Sequence, residues 1–144
     1  MTISELRGSL HKIWEAALNA GSPAKCIPHF VQINDGVLSL GGKEFPFRGR
    51  VIVIGAGKAS AKMAQVVEDI IGDRITGGLV VTKYGHALPL RRIRLVEAGH
   101  PIPDAAGMEA ARQTRELLKG LTPDDLVLCL ISGGGSAFNG SPPR

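Results

Sequence analysis

Two glycine-rich segments contain the residues best suited to binding an anion. They read GAGKAS at residues 55–60 and SGGGS at residues 132–136, and each follows a short apolar run typical of a buried parallel strand. Backbone amides without side chains can approach phosphate oxygens, and a helix that follows adds the positive end of its dipole. The phosphate-binding residues predicted in this way are Gly55, Gly57, Ser132, Gly133, Gly134, Gly135 and Ser136.

Lys58 is the candidate for chemistry on the phosphate. It follows two glycines at the end of a predicted strand, so its ammonium would point into the ligand crevice. There it can neutralise charge on a phosphoryl group in transfer or orient an oxyanion. The alternative is an exposed lysine in the first helical turn, a position that the helix dipole disfavours.

The first glycine segment also invites comparison with dinucleotide-binding loops. Gly55 and Gly57 match two of the three fingerprint glycines, but Ser60 holds the third position, where it would crowd the strand–helix contact. The next predicted strand ends in Thr82 and Lys83, where an NAD enzyme needs an acid for the ribose hydroxyls. Both departures count against NAD, and the spacer of a Walker A motif is missing as well.

A third segment, GHPIPD at residues 99–104, contains His100 between a predicted strand and a predicted helix. Its prolines stiffen the loop. His100 could bind a substrate hydroxyl or carboxylate or relay protons, or it could be satisfied by the backbone of a rigid turn. The weaker substrate candidates are His100, Asp104 and Ser60, followed by His86 and Arg91, whereas His11 and His29 are expected at the surface.

The elements that position these residues alternate between strands and helices. Apolar patterns predict helices over residues 2–19, 63–71 and 104–119, a hairpin over 30–40, and strands over 50–55, 78–82, 93–97 and 125–131. Asp104 is the expected N-cap of its helix, and Gly72 the expected end of the helix before it. Trp14 and Cys129 are expected in the core. The alternation predicts an α/β fold, a Rossmann-like parallel sheet with helices on both faces.

Composition narrows the classes of function. The chain has 144 residues, which fits one domain, and a net charge of +4 without aromatic residues among its basic ones. This disfavours nucleic-acid binding and favours an anionic small-molecule substrate. The two cysteines lack metal-binding spacing, which predicts neither a disulfide nor metal ligands. The sequence shows no signal peptide and no long apolar stretch, which favours the cytoplasm and predicts no membrane contact.

Four segments together carry a family resemblance: VIGAGKAS at 53–60, GLVVTKYG at 78–85, EAGHPIPD at 97–104 and LISGGGSA at 130–137. In this order they resemble the type-2 glycerate kinase family, also called the MOFRL or TtuD-like family, whose members are often labelled hydroxypyruvate reductase. The resemblance extends from residue 4 to residue 137.

The resemblance implies ATP-dependent phosphorylation of D-glycerate to 2-phosphoglycerate with Mg²⁺. It implies that Lys58 is catalytic and that the segment 132–136 contributes to the nucleotide site, in a cleft between two α/β domains. Residues 1–144 would be the first part of the N-terminal domain, with the second, MOFRL, domain absent and the chain truncated. An NAD(P)H-dependent hydroxypyruvate reductase and a non-catalytic fragment are the alternatives, and the oligomeric state stays open.

Overall fold

The computed structural model describes residues 2–133 and residue 135. Within this part of the chain an antiparallel sheet precedes a parallel one. The helices are α1 (Ile3–Ala20), α2 (Pro23–Phe30), α3 (Ser60–Ile71) and α4 (Ala105–Leu117). The strands are β1 (Val31–Asn34), β2 (Val37–Leu40), β3 (Lys43–Pro46), β4 (Val51–Ala56), β5 (Gly77–Lys83), β6 (Arg94–Ala98) and β7 (Leu126–Ile131).

The parallel sheet has the strand order β6-β5-β4-β7. From β4 the chain moves outward to β5 and β6, then returns across the sheet to β7 on the other side of β4. The strand order therefore reverses between β4 and β7. Open α/β sheets bind ligands outside the carboxyl ends of their strands at such a switch point. The topology places both predicted phosphate segments there, because one follows β4 and the other follows β7.

Side chains alternate along β5 between two cores, one on each face of the sheet. Val80 packs in the cluster that α3 covers with Val67 and Ile71. Its neighbours Leu79 and Val81 pack on the other face, in the cluster that α4 covers. The predicted α/β fold with helices on both faces of a parallel sheet is therefore confirmed.

The N-terminal part is larger than the sequence patterns indicate. The predicted hairpin is present as β1 and β2, with Asp35 and Gly36 at positive φ in the turn, but β3 adds a third strand beside β2. Helix α2 was not predicted, because it is only 8 residues long and contains Pro28. Two predicted helix ends are confirmed, since Asp104 caps α4 and Gly72 ends α3. At the start of α1 the cap is Thr2.

Trp14 does not belong to the core. It is 62% exposed, and its apolar neighbours on α1, Leu10 and Ile13, are 64% and 66% exposed. Helical spacing shows that α1 has an apolar face but cannot show whether anything packs on it. The predicted core role of Trp14 is therefore wrong. Within the described residues, no helix combines the length and apolarity needed to cross a membrane.

Cys129 is exposed too, which corrects its predicted burial. It lies on β7, at the edge of the sheet, where its side chain points away from α3. On that face α4 packs against β5 and β6, so Cys129 and Ile131 stay uncovered. An apolar run of residues predicts a strand with two packed faces, but an edge strand can leave one face open.

Candidate phosphate-binding site

The loops that follow β4 and β7 lie directly against each other. The Ala59 amide donates to Ser132 Oγ at 3.1 Å, and the Ser132 amide donates to the Ala56 carbonyl at 3.1 Å. A Cβ on Gly135 would lie 2.9 Å from that same carbonyl oxygen. The two segments, 73 residues apart in sequence where Ala59 meets Ser132, thus form one continuous site.

The glycines in these loops have different reasons to be glycine. Gly57 has a φ of +124°, and a Cβ there would overlap the Ser132 hydroxyl. A Cβ on Gly55 would lie 2.5 Å from the Leu130 carbonyl oxygen. Both residues are therefore required to be glycine by the close approach of β7 and the loop that follows it. The prediction had given a different reason, the close approach of phosphate.

Gly133 differs from the other two, because a Cβ there would meet no atom of the described residues within 4 Å. Its missing side chain leaves open space beside the site, as phosphate binding needs. The two remaining residues of this predicted set, Gly134 and Ser136, lie outside the described residues.

The backbone around Lys58 is held by the end of β5. The Gly57 amide and the Ser60 hydroxyl both donate to the Val81 carbonyl, at 3.0 and 2.7 Å. The Thr82 hydroxyl donates to the Lys58 carbonyl at 3.4 Å. The Lys58 side chain itself is exposed, and no carboxylate among the described residues pairs with its ammonium. A fixed backbone thus presents an ammonium group that an anion can reach.

Ser60 is fully buried. Its hydroxyl fills the strand–helix contact by bonding to β5, so the expected crowding at this position is wrong. The same hydrogen bond directs the hydroxyl inward, and we leave Ser60 out of the side chains that can reach a ligand.

Asp104 organises the loop between β6 and α4. Its carboxylate accepts from the Gly107 amide at 2.9 Å and from the Tyr84 hydroxyl at 2.8 Å. These two donors, the Gly107 amide first, lower the pKa of Asp104. The hydrogen bond between Tyr84 and Asp104 also raises the pKa of Tyr84. His100 is half-buried within this loop, and the peptide bond that follows it is cis. Asp104 therefore holds the loop that carries His100.

Two residues at this edge of the sheet were missed by the sequence analysis. Tyr84 binds Asp104, and Glu97 accepts from the Gly85 amide at 2.6 Å. The available signal was their position, since both lie at strand ends within two of the segments that carry the family resemblance.

His86 and Arg91 lie at opposite ends of the sheet. His86 is exposed in the loop after β5, on the side of the glycine loops. Arg91 precedes β6 at the amino end, where it pairs with Asp69 at 2.8 Å. A cavity of about 550 Å³ opens there, lined by Glu68, Asp69, Gly72, Asp73, Arg91 and Arg92. Because these arginines are paired with acids and lie far from the switch point, we place neither Arg91 nor this cavity in the candidate site.

Comparison with known proteins identifies the family. The family model described as a domain of unknown function, DUF4147, matches residues 9–144. The chain belongs to the DUF4147 family. A relative from Pyrococcus horikoshii, named glycerate 2-kinase, is 41% identical over 122 residues, which are 85% of this chain and 27% of the relative. The resemblance to type-2 glycerate kinases is thereby confirmed.

Two further relatives extend this comparison. The crystal structure of a Thermotoga maritima glycerate kinase superimposes with a TM-score of 0.75 at 32% identity, over 94% of this chain and 30% of that one. A relative from Agrobacterium vitis, 53% identical over 95 residues, covers 66% of this chain and 22% of its own length, and its name contains the words hydroxypyruvate reductase. The chain thus spans about a third or less of the length of the relatives it matches.

Proposed function

We propose that this chain supplies the nucleotide- and phosphoryl-binding part of a glycerate 2-kinase, which transfers the γ-phosphoryl group of ATP to the 2-hydroxyl of D-glycerate. The observation that carries the proposal is the contact between the glycine loops at the switch point, with Lys58 beside it. The choice of glycerate rests on the names of the relatives from Pyrococcus and Thermotoga.

The residues of the second glycine loop suit the phosphates of ATP. The Ser132 oxygen accepts from the Ala59 amide, which leaves the hydroxyl proton to donate to a phosphate oxygen. Gly133 leaves open space for close approach of a phosphate to the backbone. The amino end of α3 lies next to this loop and adds the positive end of the helix dipole.

Lys58 would act on the phosphoryl group in transfer. Phosphoryl transfer depends mainly on positioning and on stabilising negative charge at the phosphoryl oxygens. When ATP is bound, its γ-phosphoryl group is the group transferred. The Lys58 ammonium, on a backbone held by Val81 and Thr82, stabilises that charge without being consumed by an ion pair within the described residues.

Mg²⁺ is expected with ATP in a kinase, but the described residues do not fit a site for it. Within residues 2–133 and 135, no group of three His, Cys, Asp or Glu side chains is arranged so that it could hold a metal ion. At the edge near Lys58 the carboxylates of Glu97 and Asp104 are already engaged by backbone amides. We therefore derive no step through a metal ion.

His100 is our candidate for contacting the carboxylate or hydroxyl of glycerate, because its loop lies at the same edge of the sheet as Lys58. Further contacts are expected from the portion of the relatives that this chain does not match. In that arrangement this segment is the first part of the N-terminal domain, the second domain completes the cleft, and the enzyme works in the cytoplasm.

A reductase would need a dinucleotide site, and the residues argue against one. Thr82 is fully buried and its hydroxyl bonds to the Lys58 carbonyl, at the position where an acid would bind the ribose. The test uses a full-length enzyme in which this segment precedes the remaining length of the Pyrococcus relative. We expect ADP release with D-glycerate and ATP. NADH oxidation with hydroxypyruvate, without ADP release, would overturn the proposal.

Replacing Lys58 with alanine should weaken ATP binding by this chain about tenfold, because one charge-assisted contact to phosphate is lost. Isothermal titration calorimetry with ATP measures the change. Lys62→Ala is the matched control, since Lys62 lies one turn along α3, where it is exposed and hydrogen-bonded to Gln65. Equal affinities of Lys58→Ala and wild type would contradict a phosphate contact.

Replacing Gly133 with alanine should separate binding from folding. A Cβ there touches no atom in the part of the chain that the structure describes, so the free energy of unfolding should change by less than about 0.5 kcal/mol. The same Cβ would fill the space where a phosphate approaches, and ATP affinity should fall several-fold. Unfolding in urea and titration with ATP measure the two effects. A variant that binds ATP as wild type does would place the phosphates elsewhere.

A further inference from the structure

Tyr84 connects the end of β5 to the loop that carries His100. It follows the last residue of β5, Lys83, and its hydroxyl donates to Asp104 Oδ2 at 2.8 Å. On the basis of the proposed function, we propose that Tyr84 is a positioning residue that holds the His100 loop in place relative to Lys58.

The His100 loop, residues 99–104, packs tightly on itself. A Cβ on Gly99 would lie 2.5 Å from the Ile102 carbonyl oxygen and 3.1 Å from the Asp104 carboxyl carbon. The Asp104 carboxylate uses one oxygen for the Gly107 amide and the other for Tyr84. An attachment at Asp104 therefore fixes both the loop and the start of α4.

The other end of the connection reaches Lys58. Thr82, two residues before Tyr84, is fully buried and donates to the Lys58 carbonyl. The residue after Tyr84 is fixed as well, because the Gly85 amide donates to Glu97 on β6. The backbone of Tyr84 thus lies between two anchored residues, Thr82 and Gly85. Its hydroxyl binds Asp104 and so fixes the His100 loop relative to that backbone.

Tyr84 makes this connection without being part of a core. Its side chain is 54% exposed, and it belongs to neither of the apolar clusters that pack on the parallel sheet. An exposed hydrogen bond of this kind contributes little to the stability of a fold. Removing the hydroxyl should therefore release the loop while the protein stays folded.

The first test uses the fact that Tyr84 is the single tyrosine of the chain. Ultraviolet absorbance during alkaline titration then reports its ionisation alone. The hydrogen bond to Asp104, together with the charges of Asp104 and Glu97, raises the pKa of Tyr84. In Asp104→Asn, where asparagine can still cap α4, the midpoint should fall toward the ordinary tyrosine value. An unchanged midpoint, with circular dichroism showing folded protein, would overturn the contact.

The second test follows the ring resonances of His100 by NMR. Tyr84→Phe should shift these resonances, whereas Lys119→Ala, at the far end of α4, should not. Unchanged His100 resonances in Tyr84→Phe would overturn the positioning role. Thermal unfolding should show the same midpoint for Tyr84→Phe and wild type to within about 3 °C.

Adding D-glycerate distinguishes this inference from the proposed function. We expect glycerate to shift the His100 resonances in wild type, and to require at least a fivefold higher concentration in Tyr84→Phe. If wild type shows no response, the role of His100 in binding glycerate fails, while the first two tests still decide the role of Tyr84. If both proteins respond alike, glycerate binding stands and the positioning role is overturned.

Discussion

Replacing Gly57 with alanine should lower the free energy of unfolding by about 3 kcal/mol. Two costs combine. An L-residue is strained at a φ of +124°, and the new methyl group would overlap the Ser132 hydroxyl, which cannot retreat without breaking its bond to the Ala59 amide. Urea denaturation followed by circular dichroism measures the change, and ATP affinity should fall with it because the two loops separate.

A second substitution divides these two costs. In Gly57→Ala combined with Ser132→Gly, the overlap with the hydroxyl disappears, but the backbone strain and the 3.0 Å approach to the carbonyl oxygen of residue 132 remain. We expect the double variant to recover about half of the lost stability. The control for stability is Gly133→Ala, which adds the same methyl group at a place where it meets no atom of the described residues. A Gly57→Ala protein within about 0.5 kcal/mol of wild type would show that the loops do not meet as described.

Replacing Glu68 with alanine should destabilise the fold by about 3 kcal/mol. The Glu68 side chain is 3% exposed, and it accepts from three consecutive amides, those of Arg91, Arg92 and Ile93, at 2.7, 2.7 and 2.8 Å. Without it these donors, which order the entry to β6, lose their acceptor. Denaturant unfolding measures the loss. Asp69→Asn is the neighbouring control, since Asp69 is an exposed partner of Arg91 and should matter little.

The same carboxylate gives the fold a dependence on pH. Burial pushes the pKa of Glu68 upward, but the three amides and Arg91 outweigh it, so the pKa lies below its ordinary value. A depressed pKa contributes stability that is present above the unfolded-state value, roughly 4.3, and is lost as pH falls through the folded-state value. Glu68→Gln should therefore flatten the acid side of the stability curve. An unchanged acid limb would contradict the role assigned to Glu68.

The sequence was sufficient to predict the parallel sheet and the proximity of the two glycine segments. The strands at 50–55, 78–82 and 125–131 read as apolar runs, whereas the strand at 93–97 alternates between apolar and charged residues. A glycine segment follows both strands at the switch point. Parallel strands place their carboxyl ends at one edge, so residues 55–60 and 132–135 could be expected to lie close together. The role of Asp104 as the N-cap of α4 was also predictable, because its side chain accepts a hydrogen bond from an amide in the first turn of the helix that follows it.

Contacts between distant residues could not be predicted in this way. Nothing in the local pattern indicates that Gly57 is glycine because of Ser132, or that Ser60 bonds to Val81 on the neighbouring strand. Trp14 fails for a related reason, since amphipathic spacing shows an apolar face but not its partner. Glu68 was overlooked because its three partners are backbone amides, which every residue type except proline provides.

The bond between the Ala59 amide and Ser132 also has a consequence for how the protein is made. On the ribosome, β4 and the lysine loop emerge long before their partner, because 73 residues separate the two bonded groups. The Ala59 amide at the start of α3 therefore cannot gain its bond to Ser132 until β7 has been translated and paired beside β4. Nascent chains released before that strand should have β4 and β5 in place but should be unable to retain nucleotide.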